Sequence, residues 1–274
     1  MKRLITPLIA AACLTVGFTA CKKESKEAKQ QDEISSSEIA QIKALGLNPD
    51  GAKKTSEGYL VEGDIMLSKE DLSSVPSSPE MVIANEEHYR TNNLVNTSTY
   101  ATIDVALNNT SSQHQAAFSA ALDEAIRRYN AENLRVHFRR VSSGQDITIR
   151  SFYQVSNTLG SSGFPSSNGA PYSTVQMNTY WYSTSTGSTN VNYIGTIMAH
   201  EMGHCIGFRH TDYMNRAYSC GGSTANEGSA GVGAVYIPGT PSGPSAGSWM
   251  LACVGSNVNR PFTSADRTAL NYVY

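Results

Sequence analysis

Hydrophobic residues recur every three or four positions in four segments of the chain. This spacing places them on one face of a helix, where they can be buried together. The segments lie at residues 39–45, 113–130, 192–205 and 264–274. Thr263 or Ser264 can cap the last of them. The pattern therefore predicts four helices, and the apolar face at 113–130 suits packing onto a sheet.

Short segments rich in apolar residues predict strands between these helices. They lie at residues 58–67, 100–107, 134–138, 147–152 and 174–179. The first is divided into two strand-like pieces by Glu62-Gly63-Asp64. Glycine, serine and proline dominate residues 160–172, and a long glycine-rich segment follows from 211 to 247. Both are predicted to be loops.

The N-terminal residues have the order of an export signal. Met1-Lys2-Arg3 is basic, and the run from residue 4 to residue 20 is apolar. Phe18-Thr19-Ala20-Cys21 resembles a bacterial lipobox, which implies cleavage before Cys21 and lipidation of that residue. A signal peptide without a lipid and a retained membrane helix are the alternatives. The predicted location is the bacterial cell envelope, with the protein lipid-anchored at the outer membrane or the cell surface.

Composition divides the rest of the chain, after the signal at 1–21, into three parts. Residues 22–37 have almost nothing apolar, which predicts a disordered tether. Residues 38–98 hold a small propeptide-like unit and, from residue 73, a linker in which an activation cut would fall, with Arg90 as one candidate position. Residues 99–274 are long enough for one well-buried domain. A formal net charge of −2 without a basic face predicts no nucleic-acid partner.

The strongest chemical signal is the run from His200 to His210, which has the form H-E-x-x-H-x-x-G-x-x-H. On a helix, His200 and His204 lie about one turn apart on the same face and can bind one ion. Glu201 then lies beside the ion, where a general base for the attacking water is needed. Gly207 can end the helix with a sharp turn that returns His210 as a third ligand. Three imidazoles and an open position predict one catalytic Zn²⁺.

This run resembles the metzincin metallopeptidases. The sequence from residue 198 to residue 212 is most similar to that of the bacterial dual-action HEIGH metallopeptidases. The letters of that name spell His-Glu-Ile-Gly-His, and this chain has Met202 in place of the isoleucine. The resemblance implies an α+β, metzincin-like zincin fold: a twisted mixed sheet with a packing helix and an active-site helix, then an irregular C-terminal subdomain that closes with a helix. It also implies a methionine turn under the metal, for which Met250 is the candidate. Ala252 stands where some metzincins have an assisting tyrosine.

The same resemblance implies a strand that pairs with the substrate backbone, because metzincins have one before the metal helix. The candidate residues are Val175, Gln176, Met177, Asn178 and Thr179. An ordinary interior strand is the alternative.

A shorter resemblance concerns latency. Val61-Glu62-Gly63-Asp64 resembles the F-x-G-D element of astacin-type propeptides, with valine in place of phenylalanine. In that family the aspartate occupies the open position of the metal. Asp64 is therefore a candidate latency switch, since a carboxylate oxygen is a competent zinc ligand. An acidic turn between two strands is the alternative.

Three of the five cysteines are left once Cys13 is assigned to the signal and Cys21 to the lipid. An exported protein can form disulfides, and an odd number leaves one thiol over. The favoured pair is Cys220 with Cys253, which would join the glycine-rich loop to the methionine turn. A bridge to Cys205 is the alternative.

Together these features predict a secreted, lipid-anchored zinc metalloendopeptidase that acts on polypeptides, with Glu201 as its general base. Two other functions remain open. One is a catalytically silent surface binding protein or adhesin on the same scaffold, and the other is a lipoprotein that processes only itself. The intact Glu201 argues against the adhesin, because a binding protein has no use for a base at that position.

Overall fold

The computed structural model describes residues 33–73, 88–108, 111–224, 226–228, 231–241 and 243–274. The signal segment, Cys21 and residues 22–32 of the predicted tether lie outside the described residues, as does linker segment 74–87. Residues Ile34–Tyr274 form one compact unit. Among the described residues, no helix has the length and apolar character needed to cross a lipid bilayer.

The N-terminal unit consists of a small sheet and two short helices. Its elements are α1 (Ser36–Ala44), β1 (Lys53–Thr55), β2 (Gly58–Val61), β3 (Ile65–Leu67) and α2 (Lys69–Ser73). The three strands pair antiparallel in chain order. Ile42, Val61 and Ile65 share a buried cluster, against which Phe164 and Val232 of the later chain also pack. The unit is therefore attached to the rest of the protein through its own small core.

Helix α1 begins earlier than composition predicted. The Ser35 side chain accepts a hydrogen bond from the main-chain N–H of Glu38, and the Glu38 carboxylate accepts one from the main-chain N–H of Ser35. This reciprocal capping box satisfies two N–H groups that the first turn would otherwise leave unpaired. Residues 36 and 37, predicted as the end of the tether, are the first helical residues instead.

Residues 88–98, which composition assigned to the linker, belong to the folded core. Strand β4 (Tyr89–Arg90) pairs antiparallel with residues Val235–Tyr236. The Tyr89 ring packs edge-on against Tyr213, with centroids 4.4 Å apart. Arg90, proposed as a cleavage position, is thus held in a sheet, where a protease could not reach it without local unfolding.

A five-stranded mixed sheet forms the centre of the protein. Its strands are β5 (Thr102–Asn108), β6 (His137–Val141), β7 (Ile147–Phe152), β8 (Gly160–Ser161) and β9 (Thr174–Asn178). They are ordered β6-β5-β7-β9-β8, and every pair is parallel except β8 with β9. β6 starts three residues later than its predicted start at residue 134, and β8 lies in a segment predicted to be a loop.

Two long helices, α3 (Gln115–Asn130) and α4 (Ser188–Cys205), share the main hydrophobic core with this sheet. Phe118, Leu122 and Ala125 of α3 recur at the predicted helical spacing and are fully buried. Ile194 and Met198 of α4 are buried in the same core. This packing fixes α4, and with it the histidine motif, relative to the sheet.

The C-terminal part is mostly irregular and ends in a helix. It contains α5 (Ala217–Cys220), β10 (Val235–Tyr236) and α6 (Ser264–Val273). Thr263 caps α6 by accepting a hydrogen bond from the main-chain N–H of Asp266, whose carboxylate accepts one in return. The predicted α+β architecture, with a packing helix, an active-site helix and a closing helix, is confirmed.

Candidate metal centre and catalytic site

The histidine motif lies in the last two turns of α4, where His200, Glu201 and His204 are all buried. Because 3.6 residues make one helical turn, His200 and His204 project from the same face. Their Nε2 atoms lie 3.1 Å apart.

Gly207 turns the chain back after α4. Its φ of 103° lies in a region that residues with a side chain rarely adopt. The main-chain N–H of Phe208 donates to the carbonyl of Gly203 at 2.9 Å, which closes the end of the helix. The chain then brings the Nε2 of His210 to 3.2 Å from that of His204.

Hydrogen bonds at Nδ1 orient all three imidazoles. The Nδ1 atoms of His200, His204 and His210 lie 2.8 Å from oxygens of Trp249, Phe208 and Glu227, respectively. These carbonyl and carboxylate oxygens only accept, so in the neutral rings Nδ1 carries the proton and Nε2 exposes a lone pair. Three lone pairs facing one another repel unless a cation lies among them. The arrangement therefore fits a metal ion.

Asp64 completes the group of donor atoms. Its Oδ2 lies 2.9 Å from the Nε2 of His210 and 3.6 Å from that of His200. Four donors at about 2.0 Å from a tetrahedral zinc ion would lie about 3.3 Å from one another. The separations within this group scatter around that value, so three imidazoles and one carboxylate fit a single tetrahedral ion.

The electrostatics of the centre call for one positive charge between Asp64 and the imidazoles. Burial alone would raise the pKa of Asp64, but His210 and His200 hold it well below its usual range. Burial alone would lower the pKa of His210, but Asp64 and Glu227 raise it well above its usual range. Either a proton or a bound metal ion can supply this positive charge. Asp64 Oδ1 has no hydrogen-bond partner among the described residues.

A buried charge network holds the turn that carries Asp64. The Nη2 atom of Arg209 lies 3.8 Å from Oε2 of Glu62 and 3.7 Å from Oε2 of Glu227. Arg216 lies 3.2 Å from Glu227 and donates to the carbonyl of Glu62. Since Glu227 also accepts from His210, the network connects the N-terminal unit to the third ligand.

The sequence alone did not predict roles for Arg209, Arg216 or Glu227. Arg209 lies inside the motif, at a position that the motif leaves free. Glu227 lies 17 residues from His210 in the glycine-rich loop, whose path no periodicity specifies. Its acidic side chain was a signal in the sequence, but Asp212 lies in the same loop.

Glu201 lies beside the ligands and lines the same cavity as His200. Burial, and then the charge of Asp64, raise the pKa of Glu201 well above its usual range, whereas a hydrogen bond from Ser162 lowers it. That bond runs from Ser162 Oγ to Glu201 Oε2 at 2.8 Å. A carboxylate in this position can accept a proton from an attacking water.

Met250 packs against α4 at the place that the resemblance predicted for a methionine turn. A Cβ on Gly203 would lie 2.6 Å from Met250 Sδ, so this close approach requires glycine. The carbonyl of Met250 accepts from the main-chain N–H of Thr211 at 2.9 Å. The carbonyl of Trp249 orients His200, and the carbonyl of Met250 holds Thr211, the residue after His210. The turn therefore supports the first and the third histidine of the motif.

The structure corrects the predicted substrate-pairing strand. Residues Val175 to Asn178 lie in β9, which has β7 on one side and β8 on the other, and Thr179 begins a short 3-10 helix. The edge of the sheet is β8, which is followed directly by Ser162. β8 was missed because a two-residue strand of glycine and serine has no hydrophobic period.

The N-terminal unit occupies this edge. The main-chain N–H of Ser162 donates to the carbonyl of Asp64 at 2.8 Å, and the N–H of Met66 donates to the carbonyl of Ser162 at 2.6 Å. Ile65 and Ser162 thus form a parallel bridge. An extended segment already runs through the site next to Glu201.

A cavity of about 520 Å³ opens beside the metal centre. Tyr193 and Ile197 of α4 form one wall, and residues 157–160 and 251–256 form others. Gly63 and Asp64 of the N-terminal unit complete the lining. The cavity is large enough to hold a peptide side chain next to Glu201.

Cys220 and Cys253 form a disulfide, with Cα atoms 5.1 Å apart, and Cys205 is a buried free thiol. The bridge joins the end of α5 to the segment after the methionine turn. Because residues 251–256 line the cavity, the disulfide restrains one of its walls.

Replacing both Cys220 and Cys253 by serine should lower the free energy of unfolding by roughly 3–4 kcal/mol, because the 33-residue separation would no longer be closed in the unfolded chain. Urea unfolding without reductant measures this difference. Reductant should destabilise the wild type by the same amount and leave the variant unchanged. Equal stability of the two proteins without reductant would contradict the prediction.

A comparison with known protein families finds a match that covers most of this chain. A family model described as dual-action HEIGH metallo-peptidase matches residues 59–274, a range that includes both Asp64 and the histidine motif. The solved structure titled "Structure of myroilysin" is similar at 16% identity, covering 66% of this chain and 96% of that chain with a TM-score of 0.42. A comparison with curated protein sequences finds no match. Because the family model covers most of the chain, this protein belongs to the dual-action HEIGH metallopeptidase family.

Proposed function

We propose that this metallopeptidase is a zinc-dependent endopeptidase, exported with a lipid anchor and synthesised in a latent form. One observation carries the proposal: three imidazole Nε2 atoms converge with the Asp64 carboxylate on a single point, and Glu201 lies in the adjoining cavity. The adhesin alternative has no comparable support, because it leaves the buried Glu201 without a role.

Zn²⁺ suits these donors, since histidine nitrogens and a carboxylate oxygen in a tetrahedral arrangement are its usual ligands. His200, His204 and His210 would hold it throughout. A bound zinc would supply Lewis acidity toward the scissile carbonyl and the attacking water. Asp64 would be the fourth ligand in the latent chain and would leave that position in the active protein.

Glu201 acts as the general base in this proposal. Its carboxylate accepts a proton from the attacking water and later transfers it to the amine of the leaving peptide. Removal of Asp64 takes away a neighbouring negative charge that raises the pKa of Glu201. Once the latent contact is gone, the pKa of Glu201 would lie closer to its usual range, so more of the carboxylate would be ionised and able to accept a proton.

The substrate is an extended polypeptide that adds to the edge at Ser162 once the N-terminal unit has left it. Main-chain hydrogen bonds would provide affinity, and the adjoining cavity would select a side chain. Since Asp64 and Met66 already use the main-chain groups of Ser162, substrate and N-terminal unit would compete for them.

Latency is supported by the position of Asp64 and by the charge network around it. Activation requires the N-terminal unit to leave, so we place the cut in linker segment 74–87. His88 limits the cut on its C-terminal side, because its Nε2 lies 2.7 Å from Asp266 and both side chains are buried. Losing His88 would leave a buried carboxylate without this partner.

Export and lipid anchoring rest on the N-terminal sequence alone. The apolar run before Cys21 and the lipobox-like residues 18–21 support transfer to the cell envelope. More than one acyl chain on Cys21 would make the anchoring stable. Residues 22–35 would then separate the enzyme from the membrane.

Chelation should abolish hydrolysis of denatured casein, because the chelator removes the metal that would activate water beside Glu201. Stoichiometric Zn²⁺ should restore hydrolysis, because the three histidines remain to bind it. The assay would use the full chain and its Asp64→Ala variant, so that latency does not hide activity, with metal content measured alongside. Protein that purifies without metal, or that cuts casein equally well after its metal is removed, would contradict the proposal.

A further inference from the structure

Ser162 makes four polar contacts with Glu201 and the N-terminal unit. It is fully buried, directly after the edge strand β8. Its hydroxyl lies 2.8 Å from Glu201 Oε2 and 2.9 Å from the main-chain carbonyl of Glu201. Its main-chain N–H and carbonyl pair with the N-terminal unit. One residue thus touches both the catalytic carboxylate and the chain that occupies the cleft.

Gly160 and Ser162 confine the Glu201 carboxylate together. Residues two apart on a strand point to the same face of a sheet. A Cβ on Gly160 would lie 2.9 Å from Glu201 Oε1 and 3.1 Å from its Cγ, so one oxygen lies against Gly160. The other oxygen accepts a hydrogen bond from the Ser162 hydroxyl at 2.8 Å.

This arrangement gives the two oxygens different tasks. A serine hydroxyl has a single proton, and a charged carboxylate is a stronger acceptor than a carbonyl. Oε2 is therefore engaged by Ser162, whereas Oε1 is left to take the proton of the attacking water. Without the hydroxyl, the carboxylate could rotate, and neither oxygen would keep a fixed position.

We propose that Ser162 is the positioning residue of the general base, which it holds through its hydroxyl while its main chain binds the substrate backbone. The inference rests on the proposed peptidase function. It means that one residue aligns both the chain bound at the edge and the base that activates the attacking water. Binding of the N-terminal unit and binding of substrate would fix Glu201 in the same orientation.

Ser162→Ala in the full chain, made in both the wild-type and Asp64→Ala backgrounds, tests this. The kcat for a peptide substrate should fall about 10- to 100-fold, as expected for losing a hydrogen bond to a charged group. KM and metal content should stay within about two-fold, because the main chain and the three histidines are unchanged. Ser162→Thr should recover most of kcat, since it restores the hydroxyl.

Ser161→Ala is the matched control. Ser161 is also buried, but it lies on the opposite face of the strand and pairs with Gln176 of β9 rather than with the N-terminal unit. It should keep kcat near the parent value. A purely structural role for Ser162 would instead raise KM and lower metal content, without rescue by threonine.

A crystal structure of the metal-loaded Ser162→Ala protein provides a second readout. The Glu201 carboxylate should rotate away from its parent position. An unmoved carboxylate, or an unchanged kcat in an active parent, would overturn the inference. If the parents hydrolyse no peptide, the proposed function fails, and the position of Glu201 in the crystal still decides whether Ser162 orients it.

Discussion

Glutamine in place of Glu201 should remove most peptide hydrolysis and leave the metal bound. The amide has nearly the same shape and can still accept a hydrogen bond from Ser162, but it cannot take a proton from water. General-base catalysis contributes about 10²- to 10⁴-fold, so kcat should fall by this factor. Peptide kinetics, metal content and thermal stability, measured on the same preparation, check the prediction.

Glu132→Gln is a suitable control for this change. Glu132 lies far along the chain and pairs with Arg267 at the protein surface, so it should retain full activity. A metal-loaded Glu201→Gln protein with more than about a tenth of the parent kcat would contradict the general-base role. Loss of metal in the variant would show that Glu201 helps to hold the ion rather than only to activate water.

Asp64→Ala should release activity in the uncut chain. Among the described residues, its carboxylate is the only one grouped with the three histidines, so alanine opens the fourth position of the metal. Activation should be incomplete, because β3 still pairs with Ser162 and still competes with substrate. We expect kcat/KM to rise about 10- to 100-fold above the uncut parent and to remain below that of cut protein, mainly through a high KM.

Asp64→Asn separates charge from volume. Asparagine fills the same space but is a neutral and weaker ligand, so it should also activate the chain. Intact mass before and after the assay must show that the linker is uncut. Sequencing of spontaneously matured wild-type protein should place its new N-terminus between residues 75 and 88. The latency proposal fails if both uncut variants stay as silent as the parent while the cut protein is active.

Local patterns were sufficient for much of the fold. The apolar spacing of Phe118, Leu122 and Ala125 predicted α3, because a helix repeats every 3.6 residues whatever it packs against. The capping residue Thr263 predicted the start of α6. The boundaries were less predictable, since the capping box at Ser35 extended α1 into a segment whose composition suggested disorder.

The sequence by itself determined the core of the site, because His200, Glu201, His204, Gly207 and His210 are close along the chain. A helical turn and one glycine are enough to bring them together. Partners that lie far away in sequence needed the tertiary structure. Ser162, 39 residues from Glu201, had no signal in the sequence. Asp64, 146 residues from His210, was a candidate through its resemblance to a propeptide element, and the fold brings it to the histidines.

The edge of the sheet could only be found in three dimensions. A strand is an edge strand when one of its sides has no neighbouring strand in the sheet. The sequence of β9 does not show that β8 pairs with its other side. Likewise, Glu227 supports His210 only because an irregular loop returns to the site. Periodicity specifies the local geometry of an element, whereas the neighbours of that element depend on how the whole chain packs.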